Sequence, residues 1–173
     1  MPVIKTKTTY LEMRTPPEYK MAPPRTDIEV LQVENPSVEE YRRLYRGVGS
    51  DLHWVDRLIM PEEELREIIQ HDRVDVYVLY ADGKPGGYGE LDRRENDGIE
   101  IAYFGLFPNL VGQGLGKYLL HWLLNTAWSH DPPRVWLHTC DLDHPAALPN
   151  YIKCGFEAYK EEMIDQWVPE ATL

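Results

Sequence analysis

Three glycines at alternate positions, Gly112, Gly114 and Gly116, stand directly before Lys117 and an apolar run. Glycine inside a helix costs about 1 kcal/mol relative to alanine, so three in succession serve something other than helix stability. Glycines let backbone N–H groups approach an anion, and a following helix aims its positive end at the same point. The stretch is therefore a candidate phosphate cradle. A G-x-G-x-x-G fingerprint fails because Lys117 stands where the last glycine is needed. A G-x-x-x-x-G-K-[ST] loop fails because Val111 and Tyr118 occupy required positions. The competing reading is a glycine-rich turn that does no more than start a helix.

Glu100 is the second chemical feature. Strand alternation over residues 98–107 puts Ile99, Ile101 and Tyr103 on one face and Glu100, Ala102 and Phe104 on the other. A carboxylate in so apolar a strand is costly unless partnered, and desolvation raises its pKa toward that of a useful base. The alternative is a glutamate paired with a neighbouring Arg or Tyr. Glu90 and Asp92 share a strand face and either hold a cation or pair with arginine. His138, Asp141, Asp143 and His144 match no metal-ligand spacing, so no metal is expected. His144 is expected to cap the short helix that follows it.

These residues need elements to hold them. Ile28–Glu34 alternates as a strand. Ser37 and Glu40 form a capping box that starts a helix, and Pro61 with Glu62–Glu64 starts another, ending near Gln70. Strands are expected over 74–81, 86–94 and 98–107, joined as hairpins by Asp82–Gly83–Lys84–Pro85 and Glu95–Asn96–Asp97–Gly98. A long amphipathic helix over 114–129 follows, then a strand over 134–140. A short helix opened by Pro145 is limited or kinked by Pro149 and stopped by Gly155, and a last strand begins at Phe156. Residues 1–26 read as an extended leader broken by Pro16–Pro17 and Pro23–Pro24, with residues 4–13 able to add to a sheet edge or cross to another subunit. Residues 27–173 read as one α/β layered domain.

Composition narrows the class. The 173 residues are 43% hydrophobic and 11% aromatic, which supports a packed core. The net charge of −11, without a strong basic patch, argues against nucleic acid and anionic membrane as partners. No apolar run reaches about 18 residues, and the N-terminus does not read as a signal peptide. Cys140 and Cys154, the two cysteines, fit a reducing compartment, which points to the cytoplasm.

The ordered blocks resemble the GNAT N-acetyltransferase superfamily over roughly residues 28–163. The family loop [RQ]-x-x-G-x-[GA] is matched by Val111-Gly112-Gln113-Gly114-Leu115-Gly116 in both glycines, with Val111 departing from the usual Arg or Gln. A second block, N-x-x-A-x-x-L-Y-x-x-x-G-F, is matched by Ala147, Tyr151, Gly155 and Phe156, while His144 and Asn150 depart from it. The resemblance implies a mixed, mostly antiparallel central sheet with helices on both faces. It implies acetyl-CoA as co-substrate, its pyrophosphate held by Gly112, Gln113, Gly114, Leu115, Gly116 and Lys117, and its acyl and pantetheine parts lying along Gly105, Leu106 and Phe107. It implies Glu100 as general base, acting directly or through water, and Tyr151 as the acid that protonates the leaving thiolate. Trp54, Asp56 and Arg57 fall where the family shapes its acceptor pocket. The expected function is N-acetylation of a primary amine of a small molecule or peptide by direct transfer rather than through Cys140. The alternative is a CoA-binding sensor or inactive homologue, and a homodimer is one option for assembly.

Overall fold

The computed structural model describes residues 1–170. Their elements run β1 (Val3–Met13), β2 (Ile28–Val33), α1 (Val38–Gly49), α2 (Asp56–Ile59), α3 (Glu62–Ile69), β3 (Val74–Ala81), β4 (Lys84–Asp92), β5 (Ile99–Leu106), α4 (Leu115–Trp128), β6 (Val135–Cys140), α5 (Ala147–Lys153) and β7 (Glu157–Trp167). The Ser37 hydroxyl accepts from the Glu40 N–H at 3.0 Å and the Glu40 carboxylate accepts from the Ser37 N–H at 3.4 Å, so the capping box does start α1. The first hairpin turns on Asp82 (φ 52°) and Gly83 (φ 73°) alone. A two-residue turn with both residues left-handed matches the strand twist, so Lys84 and Pro85 belong to β4 and not to the turn.

The strands form one sheet in the order β2-β3-β4-β5-β6-β1-β7. Every neighbouring pair is antiparallel except β5 and β6, which run parallel. Helix α4 packs on one face over a cluster that includes Leu79, Leu91, Ile101, Leu119, Leu123 and Leu137. On the other face α1 and α3 pack around Tyr41, Tyr45, Leu65, Val78 and Tyr88. This is the mixed sheet with helices on both faces that the resemblance implied.

The edge placement of the leader strand and the regular alternation of β5 are corrected. The leader strand is not at an edge: β1 lies between β6 and β7, pairing with β6 over residues 8–13 and with β7 over residues 3–12. Its Thr-rich pattern suits a strand but carries no mark of which neighbours it takes. The regular alternation of β5 also fails. Glu90 pairs with Tyr103 while Leu91 pairs with Ile101, so Ala102 is an extra residue in a β-bulge. The bulge reverses the faces, leaving Ile99 and Ile101 against the α4 side and turning Tyr103 toward the α1 side.

Candidate active site

The parallel pair defines the cleft. Strands β5 and β6 are in register at Ile99–Val135 and Glu100–Trp136 only. Beyond those rungs they are no longer paired, which leaves the β6-facing edge of β5 from the bulge onward without a strand partner. The chain then turns through Pro108–Leu110 into the glycine stretch. Gly112 (φ 90°) and Gly114 (φ 79°) take the left-handed conformation that other residues resist, and Gly114 is the N-cap of α4 with no side chain capping it. A Cβ at Gly112 would meet nothing within 4 Å, and one at Gly116 only Leu106 Cδ1 at 3.7 Å. The cradle is open, and its side-chain-free backbone suits a phosphate. The leader closes over its flank: Arg25 Nη1 donates to Gln113 Oε1 at 2.8 Å, beside an Arg25–Asp27 ion pair.

Two cavities meet below this turn. The first, about 700 Å³, lies between the leader at Pro16–Tyr19, the start of α4 and the end of α5. Lys117 and Lys153 line it together with one carboxylate, Glu18 of the leader, which leaves a net positive wall on an acidic protein. Its floor is neutral: burial raises the Cys154 thiol and lowers the His121 imidazole, whose Nε2 lies 3.8 Å from Cys154 Sγ. The second cavity, about 350 Å³, opens on the α2 side and is lined by Asp56, Trp54, Tyr103 and His138 among others. Phe104, Ala147 and Tyr151 line both. Tyr151 therefore stands at the junction, its ring 6.1 Å from that of Phe104 and 6.0 Å from that of Phe156. Burial, with Asp143 and Cys154 adding to it, raises its phenol well above the ordinary tyrosine range, so the proton stays on.

The other expected site residues are placed less directly. Glu100 lines neither cavity; its Oε2 lies 3.5 Å from Nδ1 of His138, which does. Gly116 and Lys117 line the first cavity, while Gly112, Gln113 and Gly114 stand at the turn above it and the Leu115 side chain is fully buried. Gly105, Leu106 and Phe107 lie off both walls. The Phe107 N–H donates to the Gly86 carbonyl at 2.8 Å, and a Cβ at Gly105 would come within 2.4 Å of Val48, so that glycine is required by packing against α1. Glu90 is buried and its partner is Arg57, at 3.1 Å, with the Tyr41 hydroxyl donating to it at 2.6 Å. This network fixes α2 and hence Asp56. His144 does not cap α5; its Nδ1 accepts from the Ala146 N–H at 3.0 Å in the turn before the helix. Neither the contact of His138 with Glu100 nor the leader as a cavity wall is legible in the sequence, because both join segments far apart in the chain.

The chain resembles known proteins in the same sense. In fold it is similar to a functionally unknown conserved protein from Staphylococcus epidermidis, with a TM-score of 0.66 and 14% identity, covering 93% of this chain and 61% of that one. It is similar to a GCN5-related N-acetyltransferase from Kribbella flavida, with a TM-score of 0.60, 16% identity and coverage of 94% and 58%. It is also similar to an aminoglycoside acetyltransferase from an uncultured soil metagenomic sample, with a TM-score of 0.60, 16% identity and coverage of 75% and 88%. The chain thus spans about three fifths of the first two proteins. At these identities the likeness is one of fold. No curated protein sequence matches it. The model of the Acetyltransferase (GNAT) family matches residues 38–156, more than half of the chain and including both motif blocks. By that match, laid over the sheet and the glycine turn, the chain belongs to the GNAT acetyltransferase family.

Proposed function

We propose that the protein transfers the acetyl group of acetyl-CoA directly to the nitrogen of a small amine. The observation that carries this reading is the convergence of two cavities on Tyr151 beneath an open, glycine-lined helix start. The first cavity, with Lys117 and Lys153 on its wall, suits the phosphate-bearing donor. The second suits the acceptor. Transfer forms the N–C bond and breaks the C–S bond. The amine must lose a proton, since an alkyl ammonium has no lone pair. His138 faces the acceptor cavity and takes that proton, and the Glu100 carboxylate behind it steadies the imidazolium. Tyr151 gives its proton to the leaving thiolate and recovers one from solvent. Glu100 thus keeps a part in the base, acting through His138.

Acetyl-CoA with a panel of primary amines, amino acids and peptides should release free CoA thiol in step with acetamide formation. Tight CoA binding with no thiol release above the amine-free blank would rule out the transferase reading in favour of a CoA sensor.

A further inference from the structure

The second cavity holds more information about the acceptor than its size. Its wall carries three carboxylates, Asp56, Asp143 and Asp165, and no Lys or Arg among the described residues; of its two histidines, His138 has Nδ1 3.5 Å from Glu100 Oε2 and His144 Nδ1 accepts from the Ala146 N–H. Two of the carboxylates are already engaged. Asp143 accepts from the Thr139 hydroxyl and, at 3.0 Å, from the Cys140 N–H. Asp165 pairs with Lys5 at 3.0 Å. Asp56 has no hydrogen-bond or ion-pair partner for its carboxyl among the described residues. It reaches solvent at the mouth of the cavity, and desolvation on its inner side pushes its carboxyl above the usual range. The neighbouring guanidinium of Arg57 cannot serve a ligand here, because it is held by buried Glu90 and lies 4.9 Å from the centre of the Tyr103 ring.

Beside Asp56, the rings of Tyr45, Trp54 and Tyr103 form a triangle. Their centroids are 5.3 Å apart for Tyr45–Trp54, 5.1 Å for Trp54–Tyr103 and 5.4 Å for Tyr45–Tyr103. Trp54 and Tyr103 face the cavity half-buried, and Tyr45 backs them, buried. Aromatic faces attract cations and offer apolar contact to a carbon skeleton, but provide nothing to a carboxylate. An unpaired carboxylate brought into this cavity would lose hydration and meet like charge.

We propose that the second cavity selects a cationic amine that carries no carboxylate, with the ammonium on Asp56 and the carbon skeleton against the Trp54 and Tyr103 rings. This rests on the transferase reading for the cavity's role as acceptor site, and it narrows the acceptor to decarboxylated amines, diamines and their relatives, leaving free amino acids out.

Matched pairs test it: phenethylamine against phenylalanine, tryptamine against tryptophan, and 1,5-diaminopentane against lysine. Binding to the CoA-saturated protein is measured by calorimetry in amine-free phosphate buffer. At least one amine should bind, and each amine that binds should do so at least about tenfold more tightly than its amino acid, the scale of one uncompensated charge. Asp56→Asn should erase that advantage and Asp56→Glu should retain part of it, with CoA affinity unmoved in both. An amino acid that binds as well as its amine overturns the proposal. So does wild-type amine affinity in Asp56→Asn, or no binding by any of the three amines. The readout needs no turnover: amine preference without thiol release would sink the transferase reading and leave the ligand class standing.

Discussion

In the proposed transfer Tyr151 and His138 serve opposite ends, and their protons should respond to pH in opposite ways. The Tyr151 phenol is held protonated by its surroundings, its pKa being raised above the ordinary 10, so this acid stays loaded through neutral and mildly alkaline pH. Tyr151→Phe should therefore lower kcat about 100-fold, with CoA affinity intact and no recovery between pH 7 and 9. His138→Gln should also slow the reaction, but its deficit should shrink as pH rises and the free amine forms unaided. Glu100→Gln, acting one step removed, should show the same pH rescue with a smaller loss of about tenfold. If Glu100→Gln were slower than His138→Gln, the order of the two groups would be wrong. The sequence singles out Tyr151 through a motif and Glu100 through its apolar strand. It could not reach the His138–Glu100 contact, which depends on the parallel register that sets Glu100 beside Trp136. Nor could it foresee the turning of Tyr103, because one bulged residue, Ala102, leaves no trace in composition.

At the scale of one element, the glycine turn separates two roles that look alike in the sequence. Gly114 is needed for its left-handed backbone, so Gly114→Ala strains the turn by about 1 kcal/mol or more. Gly116 is already helical and a Cβ there would make only an ordinary contact with Leu106, so a side chain there disturbs the cradle without disturbing the fold. Gly116→Glu should melt within a few degrees of wild type and bind CoA at least about tenfold more weakly, because it sets a negative charge where phosphate is expected. Unchanged affinity by calorimetry would remove this loop from the donor site. Local signals of this kind were legible: the capping box, the Asp82–Gly83 turn and the helix, expected over 114–129, which runs Leu115–Trp128. They are written within a few residues of where they act. The strand order is not, because it is settled by pairing between distant segments.

The whole sheet depends on the leader strand. Strand β1 is the neighbour of β7 in the sheet and gives β6 six paired positions, against two from β5. Deleting residues 1–13 should unpair β7, free one edge of β6 and abolish the cooperative thermal transition followed by circular dichroism. A truncated protein that melts at the wild-type temperature would overturn that view of the sheet. The same pairing has a consequence in time. Glu12 meets Arg134, 122 positions later, and Lys5 meets Asp165, 160 positions later. At roughly 5–20 residues per second on the ribosome, β1 waits on the order of ten seconds for its first partner. The strand made earliest docks among the last, and until it does the β6 wall that carries His138 has only two rungs to hold it beside the bulged strand. Synthesis can thus finish the glycine turn well before the wall that carries His138 has a fixed shape.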